Sequence, residues 1–250
     1  MSGHSKWSTI KRQKGAADAK RGALFTKLGK EITIAARAGG GDPDANYRLR
    51  LAVDKARTAN MPADNIKRAI ERATGGDKAD EYEEITYEGY GPGGVALLIE
   101  TATDNKNRTA AEVRSILSKA GGQLAGQGSV AWQFESRGVI NVEGGSGDPD
   151  DIALAAIDAG ATDVDTETDP IEIATEATDL ANVQSSLEAA GVKVDSAELA
   201  MVATTPIEVE LDKARSNLKL IEALEDSDDV QRVTANFELP DEILAEAAGS

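Results

Sequence analysis

Apolar residues recur at i, i+3, i+4 and i+7 in three stretches of the first 76 residues, which predicts three amphipathic helices. The first covers about 16–38, with Leu24, Phe25, Leu28, Ile32 and Ala35 as its stripe and Gly39-Gly40-Gly41 as its stop. For the second, Asp42 is the expected N-cap and Pro43 the first helical residue, ahead of Leu49, Ala52, Val53 and Ala56. The third runs from about Pro62 to Thr74 on Ile66, Ala69, Ile70 and Ala73, with Gly75 closing it. Each stripe can cover the others, so a small three-helix unit follows.

Beyond Gly76 the period shortens to that of strands. Residues 85–88 and 94–103 predict a hairpin around Gly89-Tyr90-Gly91-Pro92-Gly93-Gly94. A helix is expected at 107–120 and a strand at 129–135, in which Trp132 and Phe134 would alternate into the core. Next come a strand at 138–143, a helix from Pro149 capped by Asp148, strands near 162–167 and 171–176, a helix at 179–190 and a strand near 197–205. That β-α-β-β-α-β order fits a ferredoxin-like unit. The last helix (about 211–225) and strand (230–238) lack a first half of their own, and residues 85–135 supply one. The expected class is therefore α+β: an N-terminal three-helix domain followed by two ferredoxin-like α/β domains, the last inserted into the second. The expected limits are 1–76, 77–136 plus 206–250, and 137–205.

Charge sharpens this division. The 250 residues carry a net charge of −17, yet residues 1–76 hold 16 Lys/Arg against 7 Asp/Glu, and residues 77–250 hold 11 against 37. The parts are thus +9 and −26, a cationic head on an acidic body. The head opens on small polar residues mixed with cations, which reads as a basic arm. Basic side chains on and after that arm are candidate nucleic-acid contacts: Lys6, Lys11, Arg12, Lys14, Lys20, Arg21, Lys27, Arg48, Arg50, Lys67 and Arg68. Trp7, the aromatic of the arm, either stacks on a base or anchors the arm to the helices.

Composition argues against other chemistries. With no Cys and one His, thiolate nucleophiles, disulfides and zinc ribbons are excluded, and a Ser-His-Asp triad could form only through His4. The glycine-rich hairpin lacks the Gly-x-x-x-x-Gly-Lys-Ser/Thr pattern and precedes a strand, so a turn is expected and not a phosphate cradle. The alternating Asp163, Asp165, Glu167 and Asp169 have Thr168 where a calcium loop needs Gly. No pair of carboxylates is singled out as acid and base, so no catalytic residue, metal or cofactor is expected. Tyr82, Tyr87 and Tyr90 gather at the hairpin as surface packing or a stacking platform. Asn105, Asn107 and Arg108 read as cap and turn residues. No stretch approaches a membrane span and the first residues do not form a secretory signal, so a cytoplasmic monomer without a small-molecule substrate is expected.

Several motifs carry a resemblance. Met1-Ser2-Gly3-His4-Ser5-Lys6-Trp7, Lys14-Gly15-Ala16-Ala17-Asp18-Ala19-Lys20-Arg21-Gly22, Asn60-Met61-Pro62-Ala63-Asp64-Asn65-Ile66, Tyr87-Glu88-Gly89-Tyr90-Gly91-Pro92-Gly93-Gly94 and Gly128-Ser129-Val130-Ala131-Trp132 resemble the YebC/PmpR family over essentially the whole chain. Ala63 stands where a Lys is expected. The resemblance implies a helical domain followed by two α/β domains, a DNA-binding transcriptional regulator and no enzyme. Related proteins, among them a mitochondrial translational activator for cytochrome oxidase, act in translation, and bacterial members relieve ribosome stalling at proline runs. Ribosomal RNA is therefore the alternative partner that the resemblance implies. An acidic module binding a basic protein is a further alternative, read from charge alone.

Overall fold

The computed structural model describes residues 18–75, 82–143, 145–240 and 242–243. Three helices open it: α1 (Asp18–Gly39), α2 (Tyr47–Thr58) and α3 (Ala63–Thr74). Leu28, Ile32, Ala35 and Ala36 of α1 close over Leu49, Ala52, Val53 and Ala56 of α2 and Ile66 and Ala69 of α3, with Met61 beneath. The expected stripes are buried or half-buried, except that Leu24 at the start of the α1 stripe is exposed.

The start of α2 is a correction. The helix begins at Tyr47, and its cap is Asn46 in place of Asp42. Asn46 Oδ1 accepts from Leu49 N (3.1 Å), while its Nδ2 donates to Ala35 O (2.8 Å) and Gly40 O (2.9 Å). The local sequence offers three residues able to cap, Asp42, Asp44 and Asn46, and the carbonyls at the end of α1 select the one that can bond both ways. Asp42 instead accepts from Asp44 N in the preceding turn.

Strands β1 (Glu83–Tyr90), β2 (Ala96–Thr103) and β3 (Gln123–Leu124), with α4 (Lys106–Lys119) between the last two, begin the first sheet. The chain then forms β4 (Phe134–Val142), α5 (Pro149–Asp158), β5 (Asp163–Asp165), β6 (Ile171–Glu176), α6 (Leu180–Ala189) and β7 (Val194–Ala203). Finally α7 (Leu211–Glu225) and β8 (Val230–Ala235) return to the first sheet. Its order is β3-β1-β2-β8; that of the second is β5-β6-β4-β7, with every pair antiparallel.

The second sheet is ferredoxin-like outright, its second, third, first and fourth strands standing side by side. In the first sheet four strands and two helices occupy the same places, but β1 leads the chain where the usual order has it third. Leu97 and Ile99 face the core built with α4 and α7, through Val113, Leu117, Leu218, Ile221 and Leu224. Ala96 and Leu98 point the other way, under Val130, Phe134 and Ala203. Buried on both faces, the first half of β2 reads as an unbroken apolar run, Ala96–Ile99.

Residues 129–135 are not one strand. Ala131–Gln133 form a 3-10 turn, and β4 starts at Phe134 and runs unbroken to Val142. Phe134 is buried as expected, but Trp132 is 71% exposed, which overturns its expected place in the core. The cause is Glu88: its carboxylate accepts from Gly128 N (2.6 Å), Val130 N (2.6 Å) and Ala131 N (2.9 Å). Gathering three N–H groups on one acceptor curls the backbone and forbids extension.

Candidate nucleic-acid interface

The three-helix unit is fastened to the body by its own cations. Lys30 is buried in the middle of α1, its Nζ donating to Asp229 Oδ1 (2.7 Å), Asp228 O (2.9 Å) and Ala102 O (3.1 Å), with the Tyr82 ring centroid at 5.4 Å. Asp229 also accepts from Arg108 (2.8 Å), Thr109 (2.8 Å) and Thr103 (3.2 Å). Burial pushes the Asp229 carboxyl up, but the hydrogen bonds from Lys30, Arg108 and Thr109 overcome it and hold the group well below the usual carboxylate range. One turn earlier, Lys27 donates to Glu225 O, at the C-terminal end of α7, where a cation meets the negative pole of the helix.

On the second face of the unit, Tyr47 and Leu51 of α2 pack on the core of the second sheet. Between the three layers lies a cavity of about 510 Å³, lined among others by Glu31, Arg48, Lys55, Glu100, Glu198 and Arg232. Lys55 pairs with Glu31 (3.1 Å) and Glu198 (3.5 Å), Arg232 pairs with Glu198, and Arg48 pairs with Glu84. Burial pushes the Glu100 carboxyl up against the opposing pull of Arg232 and Lys55.

The candidate residues thus separate into groups. Lys6, Trp7, Lys11, Arg12 and Lys14 lie outside the described residues, and Lys20 stands in the first turn of α1. Lys27 and Arg48 face the junction. Arg50, exposed, donates to Pro43 O (3.0 Å) and Asp44 O (2.8 Å), bracing the turn before α2. Arg21 is exposed near the start of α1. Lys67 and Arg68 are exposed on α3, with Lys67 3.7 Å from Glu71.

That leaves α3 as the outer helix. Its apolar side packs on α1 and, less, on α2, while Lys67, Arg68 and Arg72 occupy the solvent side, the last two a helical turn apart. The amphipathic pattern puts Lys30 and Arg72 together on the charged faces opposite the stripes; Arg72 is exposed there, but Lys30 is buried at the junction with Asp229. The inward place of Lys30 has a signal, since it lies i+2 from Leu28 and i−2 from Ile32, at the border of the apolar stripe. Asp229 carries no such signal inside its acidic run.

Comparison with known proteins decides the family. A family model described as the TACO1/YebC protein N-terminal domain matches residues 5–76, and one described as the TACO1/YebC second and third domain matches 82–237. The chain belongs to the TACO1/YebC family. Relatives named "probable transcriptional regulatory protein" occur in Rubrobacter xylanophilus, 54% identical over all of both chains, and in Trichlorobacter lovleyi, 55% identical over 96% of each. Another, from Acidithiobacillus ferrooxidans, is 56% identical over 98% of each. Among solved structures, a conserved hypothetical protein of Aquifex aeolicus is 42% identical, covers 91% of this chain and 94% of its own, and superposes with a TM-score of 0.85. Two of the family motifs meet in space: Glu88 of the Tyr87–Gly94 motif is the acceptor that curls the Gly128–Trp132 motif. Among the described residues, no helix is long and apolar enough to cross a membrane.

Proposed function

We propose that this family member is a DNA-binding transcriptional regulator, a cytoplasmic monomer that holds nucleic acid through its basic N-terminal segment. We further divide it at 1–76, 77–136 with 206–250, and 137–205. The observation that carries the reading is the sorting of the cations. Lys27, Lys30 and Lys55 fasten the helical unit to the acidic body, which turns Lys67, Arg68 and Arg72 of α3 outward. Phosphate contacts from such a face and from the arm that leads into α1 give sequence-independent, salt-sensitive grip. The names of the relatives supply the regulatory role.

The −26 of residues 77–250 favours a second reading, a ribosome-associated translation factor. An acidic body repels a long duplex but tolerates RNA presented on a protein-rich particle. Crosslinking in cells, followed by sequencing of the attached nucleic acid, separates the two. Promoter DNA is expected; recovery of mainly ribosomal RNA would replace the first reading with the second.

A further inference from the structure

Residues 120–134 contain no charged side chain, in a chain that is 28% charged. Within that window stands Trp132, at 71% the most exposed large hydrophobic among the described residues. Its display is built. The indole Nε1 donates to Ser129 O (3.1 Å), Tyr90 OH donates to the same carbonyl (3.3 Å), and Glu88 holds the surrounding N–H groups. Tyr90 also borders a hollow of about 450 Å³ whose remaining lining is Gln123 and five glycines.

A fixed, exposed ring on a segment without charged side chains suits one class of ligand. The centre of a protein interface is a cluster of apolar side chains. The other exposed large hydrophobics, Leu24, Leu154, Ile157 and Leu199, belong to α1, α5 and β7, not to this loop. A fixed aromatic face matches a nucleobase, which stacks with its π-face. The segment itself carries no charged side chain, and the Glu88 carboxylate beneath it is buried and occupied by backbone N–H groups, so repulsion of a phosphodiester chain is reduced here.

Stacking decides the form of that base. Within a duplex both faces of a base are covered by its neighbours, whereas an unpaired base offers one to a fixed ring. We propose that Trp132 is a stacking platform for an unpaired base of the nucleic acid whose backbone the N-terminal segment holds; the proposal rests on the nucleic-acid reading above.

The chain has two tryptophans, so Trp7→Phe leaves Trp132 as the sole indole emitter. This variant is titrated with end-labelled 20-nucleotide single strands of RNA and of DNA and with duplex DNA, reading label anisotropy and indole emission together. The expected result is strong quenching of Trp132 as a single strand saturates, and no quenching by the duplex. In the otherwise natural chain, Trp132→Ala should weaken single-strand binding about 5- to 100-fold, with Trp132→Phe recovering part of it. The salt slope should not change, because no phosphate contact is removed. Saturating anisotropy with unaltered Trp132 emission would overturn the platform and leave the basic interface standing. Flat anisotropy of the natural chain, titrated in parallel, with every oligonucleotide would overturn both. Protection of Trp132 by a protein partner and by no oligonucleotide would also overturn it.

Discussion

Lys30 and Asp229 are 199 positions apart in the chain and 2.7 Å apart in space, each side chain less than a tenth exposed. Two charges so buried are tolerable because every remaining lone pair and proton has a use: three acceptors around the ammonium, four donors around the carboxylate. The pair joins the helical unit to the first sheet. Asp229→Ala should destabilise the protein by about 3–5 kcal/mol, since it strands Lys30 in the interior. Lys30→Met should cost less, because Arg108, Thr109 and Thr103 still bond the carboxylate. Urea midpoints of the two variants check the order.

Cations at the junction and on the outer surface should separate experimentally. Replacing Lys11, Arg12, Lys14, Lys20 and Arg21 together by Ala should abolish tight binding. If all five touch phosphate, the slope of log K against log salt should flatten by about 3.5–4.5. Lys27→Ala should leave that slope alone and lower thermal stability, because its partner is the Glu225 carbonyl.

Glu88 ties pH to the shape of the Trp132 loop. Burial pushes its carboxyl up, but the backbone N–H groups of Val130, Gly128, Ala131 and Ser129 outweigh that and hold it below its ordinary value. A lowered value stabilises the fold above the ordinary carboxylate range, and that stability is lost as pH falls through the value in the folded protein. Glu88→Gln should therefore cost about 1–3 kcal/mol at neutral pH, with one N–H left unsatisfied. The gap from the natural chain should close on acidification, as read by urea unfolding at a series of pH values.

Glu100 has the opposite sign. Its carboxyl is raised by burial, so ionisation at neutral pH opposes folding, and the penalty disappears as pH falls below the value in the unfolded chain. Glu100→Gln should raise the melting temperature at pH 7, and the advantage should vanish near pH 4. Calorimetry at both pH values tests this.

Gly91 is fixed by contact. A Cβ there would lie 2.0 Å from Asn217 Oδ1. The amide cannot swing away, because Asn217 Nδ2 donates to Pro92 O and Lys213 O, both at 2.8 Å. Gly91→Ala should cost about 1–3 kcal/mol in chemical unfolding.

Elements whose residues face one core were legible in sequence. The helical stripes of α1 to α3, the capped start of α5 at Asp148 and Pro149, and the strand and helix order of the second sheet follow from periodicity and local chemistry. What escaped depends on distant partners. Asn46 displaced Asp42 as a cap because α1 carbonyls lie against it, and Trp132 left the core because a carboxylate 44 positions earlier curls its loop. Sign of charge marked the basic segment, but only packing could show that Lys27 and Arg48 turn to the junction with the body while Lys67 and Arg68 face away from it.

The chain order of the first sheet has a consequence during synthesis. β2 emerges early, apolar on both faces, and its outer neighbour β8 follows about 130 residues later. At about 5–20 residues per second, that leaves Leu97, Leu98 and Ile99 with an unpaired edge for roughly 6–26 s. Until β8 arrives, the nascent protein carries a sticky strand. A ribosome-bound chaperone or a quickly closing inserted domain would have most effect in that interval.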